Sequence, residues 1–363
     1  MGSRLEMTGG TDTGSEERAN FISVPNKVSQ LFSGPILAIE TSCDETSASV
    51  ILGTKVLSNV ISSQIAMHEQ WGGIVPEAAA RAHIESILPV IQSALREAQV
   101  VVTDIRAIAV TNRPGLVGAL SVGVTAAKSL SVALRIPLLG VDHLEGHLLA
   151  CLENEEPVLF PMLSLLVSGG HSELVLIRGL GVYQLVGQTR DDAAGETFDK
   201  GARLLGLGYP GGRRVSELAE IGNPKRYALP RGLAKERYDL SFSGLKTAML
   251  RLVEAEGANL SVPDACASLQ AAICDSLLTK LSNAVEDLSP KSIGLCGGVA
   301  ANSELRRQVQ ALGDRYGIPV IIPASELCTD NAAMIGLAAS HRLATGEHSG
   351  IDLDVFPNSE LFR

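Results

Sequence analysis

The chain has 363 residues, and its 30 basic and 40 acidic side chains give a formal net charge of −10. This length predicts about two domains, and a hydrophobic content of 45% excludes a broadly disordered chain. The negative charge argues against a protein that coats DNA or an anionic membrane without specificity, although it leaves room for a local basic face.

Three further features of the sequence concern the cellular compartment of the protein. None of the six cysteines is in a CxxC pair, which predicts reduced, buried thiols and a cytoplasmic protein, with a mitochondrial location as the alternative. The longest charge-free apolar stretches, 114–127 and 157–170, have 14 residues each and are too short to span a bilayer, so we expect no membrane partner. Residues 1–33 are rich in Gly, Ser and Thr and predict a flexible tail or a tag.

The first half of the chain alternates between strand and helix patterns. Strands are predicted at 36–42, 47–52, 55–63, 105–111 and 136–142, and helices at 77–98, 116–134 and 143–153. Pro89 predicts a kink or break in the helix over 77–98. This alternation is typical of a mostly parallel sheet.

The second half restarts the same pattern. Residues 163–177 resemble 36–51 in layout, with a buried strand, a small polar turn and a second strand, and 291–309 read as strand, Gly-rich turn and helix. The repeat predicts an α/β protein with the two-lobed, actin-like fold of actin, sugar kinases and heat-shock chaperones, with a nucleotide cleft between duplicated halves. We expect an N-terminal lobe over 34–149, completed by a C-terminal helix at 331–345, and a C-terminal lobe over 150–330.

His143 and His147 form the sharpest local motif, HLEGH. Residues four apart share one face of a helix, so both imidazoles could bind one divalent metal ion. Glu145 lies on another face and should not be a ligand, whereas Asp330, just before a small-residue helix, is a candidate third ligand. Two His and one carboxylate are typical of non-haem Fe²⁺, and Zn²⁺ also fits; a pair of surface or capping histidines is the alternative. The protease motif HExxH is not present.

Three Gly-rich turns lie at 168–171, 209–212 and 296–302. Main-chain N–H groups in such turns can surround phosphate oxygens, which favours a nucleotide site, although a single pair of glycines is often only a tight turn. Asn302 could cap the next helix, bind ribose or base, or do both. Asp199, in an acidic helix start, could accept a ribose hydroxyl.

Two polar segments accompany these turns. The loop 68–83 contains Trp71, whose ordinary interpretation is a buried aromatic, and Glu69 and Glu77, which could face a substrate. Residues 200–237 hold nine Lys or Arg against three Glu, a local charge of +6, and their Pro and Gly content predicts that much of the segment is a loop. A basic loop beside a nucleotide cleft suggests RNA as a partner, although a solvated surface is the alternative.

The motifs together resemble the tRNA N6-adenosine threonylcarbamoyltransferase family, once labelled a sialoglycoprotein endopeptidase. The resemblance covers the chain from about Ile36 to the helix after Asp330. It is carried by IETSCDETSAS, HEQWGGIVPEAAARAH, DHLEGHLLA, LLVSGGHSEL, DDAAGETFDKGARLLGLGYPGG, LSFSGLKTAM, CGGVAANSELR and TDNAAMIG. The chain departs from the family pattern at Asn112-Arg113, at Trp71, where Tyr is typical, and at Arg213, where Pro is typical.

The resemblance implies an enzyme that transfers threonylcarbamoyl from threonylcarbamoyl-adenylate to N6 of the adenosine 3′ to the anticodon, position thirty-seven, in tRNAs that read codons beginning with A. It implies one metal ion per subunit, with Fe²⁺ preferred over Zn²⁺ or Mg²⁺. The implied partners are a paralogous scaffold subunit and a small ATPase, or a second copy of the chain. The implied ligands are His143, His147 and Asp330, and the implied substrate contacts are Leu166, Val167, Ser168, Gly169, Gly170, Asp199, Gly212, Ser216 and Asn302.

Two other functions and the identity of the general base stay open. An ATP-dependent kinase of the same superfamily would not need HLEGH, and a non-catalytic scaffold paralogue would lack the two His and the distant Asp. The general base is not identified by the sequence. Glu40, Asp44, Glu45 and Glu77 are candidates by residue type alone.

Overall fold

The computed structural model describes residues 31–153 and 158–362. The predicted tail at 1–33 falls almost wholly outside the described residues, so its flexibility stays a prediction.

The first sheet is built from five strands in the order β3-β2-β1-β4-β5. β1 pairs antiparallel with β2, and β2 with β3, while β1, β4 and β5 run parallel. The central strand β1 is rich in Ile, Leu and Ala and is buried along its whole length, as expected of a strand covered on both faces. The strands are β1 (Ile36–Glu40), β2 (Glu45–Leu52), β3 (Lys55–Ser63), β4 (Ala107–Arg113) and β5 (Leu138–Asp142).

The second sheet repeats this plan with strand order β10-β9-β6-β7-β8. β6, β7 and β8 form an antiparallel meander, and β6, β9 and β10 run parallel. The strands are β6 (Met162–Val167), β7 (Ser172–Gly179), β8 (Val182–Gln188), β9 (Ser292–Cys296) and β10 (Val320–Ile321). The matching orders confirm the duplication, but the prediction of mostly parallel sheets is wrong, because short turns let three consecutive strands of each half form a meander.

Helices cover both sheets. They are α1 (Ile65–Glu69), α2 (Pro76–Glu97), α3 (Val117–Leu134), α4 (His143–Leu149), α5 (Ala194–Leu204), α6 (Gly212–Ala219), α7 (Ser243–Glu256), α8 (Val262–Leu288), α9 (Ser303–Tyr316), α10 (Ser325–Cys328) and α11 (Ala332–Ala344). The C-terminal helix α11 packs on the first sheet with Ile36, Ala38 and Ile51, far from its neighbours in sequence. The lobe boundaries themselves stay a prediction.

The structure overturns two local expectations. α2 continues through Pro89 without a break, because Pro89 and Glu85 are exposed while Ile87, Val90 and Ile91 hold the helix on the core. Trp71 is 53% exposed and not buried. The basic segment 200–237 includes the end of α5 and all of α6, and the rest of it lies outside helices and strands, so much of the segment is a loop as predicted.

Two other features concern the composition of the chain. All six cysteines are free; five are buried and Cys43 is half-buried, as predicted for reduced thiols. The 18-residue helix α3 is apolar enough, by length and composition alone, to cross a membrane, but it packs along β4 and α2. Of this helix, 28% is buried inside the structure.

Candidate metal centre and substrate cleft

Helix α4 carries both histidines and starts directly after β5. Asp142 caps its first turn by accepting a hydrogen bond of 2.9 Å from the backbone N–H of Leu144. Leu144 and Leu148 pack against Leu166 and Val175 of the second lobe. His143 and His147 are one turn apart on the same helix, and their ring centroids are separated by 4.7 Å. The helix is thus fixed at the junction of the lobes with both imidazoles on one side.

Asp330 joins the two histidines from almost two hundred residues away in sequence. Its Oδ1 lies 3.1 Å from Nε2 of His147 and 3.4 Å from Nε2 of His143. It precedes α11, whose N-cap is Asn331, the acceptor of a 3.0 Å bond from the Met334 N–H. The packing of α11 on the first sheet therefore brings Asp330 to α4.

Glu40 contacts His143 on the side of the imidazole opposite to Asp330. It ends β1, is fully buried, and places Oε2 3.0 Å from Nδ1 of His143. The hydroxyl of Thr111 and the backbone N–H of Ser42 also donate to its carboxylate. Because His143 Nδ1 is held by Glu40, its Nε2 faces Asp330. Glu40 is thus placed to orient an imidazole, not to abstract a proton from a substrate.

The electrostatics of the cluster follow from its burial and its two carboxylates. Burial disfavours the charged imidazole of His143, but Asp330 and Glu40 outweigh this effect and hold its pKa well above the usual value. Burial lowers the pKa of His147, and this effect outweighs the hydrogen bond with Asp330, which raises it. Burial raises the pKa of Asp330, but the charge of His143 and its hydrogen bond outweigh this effect. The pKa of that carboxyl therefore lies well below its usual range.

The three side chains fit a divalent metal ion by donor type and spacing. One ligand atom from each of His143, His147 and Asp330 lies within 4.8 Å of the others. The Nδ1 atom of fully buried His147 has no hydrogen-bond partner among the described residues. Two imidazole nitrogens and one carboxylate oxygen suit Fe²⁺ or Zn²⁺ better than Mg²⁺, which prefers oxygen ligands.

Glu145 is directed away from these ligands, as the helical geometry predicts. It accepts hydrogen bonds of 2.9 Å from the Tyr183 hydroxyl of β8 and from Arg342 of α11. A buried carboxylate held by both lobes fixes the position of α4. Its role in the motif is therefore structural support for the helix that carries the histidines.

Two of the predicted Gly-rich turns lie side by side at the carboxyl ends of β6 and β9. Leu166 and Cys296 are partners in the parallel pairing, and a Cβ on Gly297 would lie 2.4 Å from the carbonyl oxygen of Val167. Leu166 and Val167 are buried in β6, and Ser168 closes the turn by accepting from the His171 N–H. Gly169 and Gly170 are exposed, and nothing lies within 4 Å of a Cβ built on either. This turn leaves open space for a ligand beside its backbone.

A second cluster collects the other predicted substrate contacts. Asp199 Oδ1 accepts hydrogen bonds from the N–H groups of Gly211, at 2.7 Å, and of Gly212, at 3.3 Å. Asn302 caps α9 through the Leu305 N–H, and its Nδ2 donates to Ser216 at 3.2 Å. Gly212 and Ser216 are one turn apart on α6. The structure therefore joins Asp199, Gly212, Ser216 and Asn302 around α6, although it holds no ligand that would assign their roles.

Sequence analysis missed two residues near these clusters. Gln270 of α8 accepts from Asn302 Nδ2 at 2.7 Å and fixes the orientation of that amide. His171 follows the SGG turn, and burial together with His143 and His147 lowers its pKa to about 4, so it is a neutral imidazole. The SGGH motif carried a signal for His171, but only the tertiary fold places Gln270.

The acidic candidates for a general base differ in their surroundings. Burial, then Asp44 and Asp330, raise the pKa of Glu45 to about 10, so this carboxyl is protonated at neutral pH. Glu77 lies on the exposed surface of α2 and pairs with Arg81 at 2.7 Å. Asp44 is buried beside Glu45. The geometry does not place any of these on a reacting atom.

Comparison with known proteins decides the family. Residues 55–337 match the sequence model of tRNA N6-adenosine threonylcarbamoyltransferase. The chain belongs to this family. It is 53% identical to the member from Dehalococcoides mccartyi over 89% of this chain and 98% of that one, and 51% identical, with the same coverage, to the member from Anaeromyxobacter dehalogenans. A third relative, from Nostoc punctiforme, is 49% identical over 88% of this chain and 94% of its own.

These relatives confirm the resemblance noted from the motifs and make the chain an enzyme that modifies tRNA by threonylcarbamoyl transfer. Solved structures confirm the actin-like fold. Full-length HypF matches with a TM-score of 0.57 at 15% identity, over 87% of this chain and 56% of HypF. The activator of 2-hydroxyisocaproyl-CoA dehydratase from Clostridium difficile matches with a TM-score of 0.51 at 12% identity, over 86% and 96% of the two chains.

Proposed function

We propose that this enzyme transfers threonylcarbamoyl from threonylcarbamoyl-adenylate to N6 of the adenosine 3′ to the anticodon, position thirty-seven, in tRNAs that read codons beginning with A. AMP is the other product. The observation that carries the proposal is the convergence of His143, His147 and Asp330 at the junction of the lobes. The exposed Gly169-Gly170 turn lies at the same junction, because β6 packs against α4.

A divalent metal, with Fe²⁺ preferred over Zn²⁺ or Mg²⁺, would be held by His143, His147 and Asp330 and would supply Lewis-acid polarisation of a phosphate or carbamate oxygen. Glu40 orients His143 so that Nε2 faces Asp330, and metal binding at this nitrogen would release the proton that the metal-free imidazole holds. Burial keeps His147 neutral, which leaves a nitrogen lone pair for coordination. The chain thus supplies a pre-oriented, partly dehydrated ligand set.

The glycine turns are suited to the adenylate half of the donor. Backbone N–H groups at Gly169 and Gly170 approach a phosphate without steric hindrance, and they would stabilise the negative charge that develops as AMP leaves. Asp199 and Asn302, fixed through α6, would hold the ribose and base. An adenine N6 amine is a weak nucleophile, so alignment of the two substrates supplies much of the rate.

Two proteins of similar structure support a nucleotide in this cleft. The matched HypF structure is phosphate- and nucleotide-bound, and the matched dehydratase activator contains ADPNP. An ATP-dependent kinase of this superfamily is the alternative, but it gives no reason for a buried His-His-Asp cluster. A scaffold paralogue would need no such cluster. We also propose that the enzyme acts with a paralogous scaffold subunit and a small ATPase, or as a homodimer.

The test is incubation of the purified protein with threonylcarbamoyl-adenylate and unmodified tRNA, with and without a chelator, followed by mass spectrometry of the nucleosides. We expect threonylcarbamoyladenosine only in the sample without chelator, and restoration of activity when the metal is returned. The His143→Ala/His147→Ala double variant should be inactive yet folded. Full activity of a metal-free double variant would contradict the role of the metal. Phosphorylation of a small substrate by ATP would favour the kinase.

A further inference from the structure

We propose that Trp71 is a stacking platform for an unpaired base of the RNA substrate at the rim of the cleft between the lobes. This inference rests on the proposed function for its ligand, because it takes the anticodon loop of tRNA as the RNA. It adds a binding residue that the site above does not include. Trp71 is the sole tryptophan of the chain and is 53% exposed.

The buried side chain and the backbone of His68 hold the loop around Trp71 in one conformation. His68 is fully buried; its Nε2 lies 3.1 Å from Oε1 of Gln64, and its Nδ1 accepts from the Val75 N–H at 3.3 Å. The backbone N–H of Trp71 donates to the His68 carbonyl at 3.1 Å. The indole meets the imidazole of His68 at a centroid distance of 5.8 Å and a tilt of 58°. His68 thus contacts one part of the indole ring, and the rest of the ring is exposed to solvent.

This loop belongs to the first lobe but touches the second. Arg203, on α5, donates to the carbonyl oxygen of Gly72, next to Trp71. α5 also carries Asp199, four residues earlier, which binds the N-terminus of α6. Burial, and then Asp44 of the first lobe and Asp199 of the second, raise the pKa of Tyr209. The loop that carries Trp71 therefore lies where the two lobes meet.

The surroundings of Trp71 favour RNA over an apolar protein surface. Arg203, which donates to the carbonyl oxygen of Gly72, and Arg214 are both exposed on the second-lobe side. A Cβ on Gly208 would lie 3.7 Å from Nη1 of Arg214 and 3.9 Å from Oε1 of Glu69, so these groups adjoin the same glycine. The acids of this region are Glu69, which adjoins Gly208, and Asp44 and Asp199, which act on Tyr209.

An exposed indole beside guanidinium groups has the composition that binds unpaired nucleotides. The base stacks on the aromatic face, and the arginines contact the phosphates. Ile65 and Val75 of the same segment are also exposed, at 37% and 38%, so it is the guanidinium groups beside the indole, and not a small apolar area, that favour RNA. The flanking glycines, Gly72 and Gly73, add no side chain that would cover the ring; nothing lies within 4 Å of a Cβ on Gly73.

Because the chain has a single tryptophan, its fluorescence reports on this site alone. The probe is the unmodified anticodon stem-loop of a tRNA that reads a codon beginning with A, compared with an RNA duplex of equal charge. We expect the stem-loop to quench the emission strongly and the duplex to quench it weakly. Fluorescence anisotropy of labelled RNA should show affinity reduced about tenfold or more for Trp71→Ala and much less for Trp71→Phe. Unchanged emission at saturating stem-loop, or unchanged affinity of Trp71→Ala, would overturn the inference.

The matched control is Ile221→Ala, which removes an apolar side chain that is 78% exposed in the basic segment but outside the rim. We expect it to bind RNA as the wild type does. A sedimentation experiment completes the comparison: if Trp71→Ala changed self-association and not RNA affinity, Trp71 would be a protein contact and the inference would be wrong.

Transfer activity separates this inference from the proposed function. If the wild type modifies tRNA and Trp71→Ala does so with an unchanged KM for tRNA, the stacking role fails while the proposed function stands. If the stem-loop quenches Trp71 but no nucleoside is modified, the proposed function fails while RNA stacking stands. When both hold, the KM for tRNA should rise in Trp71→Ala with little change in kcat.

Discussion

The carboxylate of Glu40 lies 3.0 Å from Nδ1 of His143, on the side of the imidazole opposite to the nitrogen that faces Asp330. Both partners are buried, and Glu40 also accepts from Thr111. A carboxylate in this position fixes the tautomer and the ring orientation of a metal-binding histidine and increases its basicity. The relationship assigns Glu40 to the support of the metal site.

We therefore expect Glu40→Gln to weaken metal binding about ten- to a hundredfold, because the substitution removes the negative charge but keeps the shape of the side chain. Competition with a fluorescent chelator measures this affinity. Glu77→Gln, on the exposed face of α2, is the matched control and should bind metal as the wild type does. Equal affinities of the two variants would show that Glu40 does not act on His143.

Gly211 is required by the packing of α6 on α5. A Cβ at this position would lie only 2.0 Å from Cβ of Ala202, and the Gly211 N–H donates to Asp199. We expect Gly211→Ala to lower the free energy of unfolding by about 2–3 kcal/mol, measured by urea denaturation. Gly244→Ala is the control: nothing lies within 4 Å of its Cβ, so it should be neutral or slightly stabilising. Equal stability of the two variants would refute the packing argument.

Glu173 should make stability depend on pH. Burial, with Asp142 as a second cause, raises the pKa of this carboxyl from 4.5 to about 7, and its Oε2 has no hydrogen-bond partner among the described residues. Glu173 therefore binds a proton more tightly in the folded protein than in the unfolded chain, so its own contribution to stability is greatest below pH 4.5 and falls as the pH rises to about 7.

Glu173→Gln removes this titration. Relative to the wild type, we expect the variant to become more stable with rising pH, by up to about 3 kcal/mol between the acidic and the alkaline ends of the window. Urea denaturation of both proteins across that window measures the difference. A difference in stability that is constant with pH would mean that the pKa of Glu173 is the same in the folded and the unfolded state.

The sequence predicted those parts of the fold and site that depend on local periodicity. The apolar runs at 36–42 and 163–177 identify equivalent strands of the two halves, and the spacing of His143 and His147 puts both on one helical face. The mixed strand directions were not predicted, because the periodicity of a buried strand is the same in parallel and antiparallel pairs.

The parts that depend on tertiary contacts needed the structure or the family resemblance. Asp330 reaches α4 only because α11 folds back on the first sheet, and Glu40 is near His143 only because β1 lies two strands from β5. Residue type alone made Glu40 a candidate base. Trp71 was expected to be buried because aromatic residues usually are, but the turn after α1 directs it outward.

Metal titration of the metal-free protein tests the central claim most directly. Isothermal titration calorimetry with Fe²⁺ under anaerobic conditions, and with Zn²⁺, should give one tight site per chain for the wild type. Asp330→Ala should lose that site while keeping its cooperative thermal unfolding. One ion per chain in the wild type and none in the variant would agree with a centre formed by His143, His147 and Asp330. Equal binding by both proteins would contradict it.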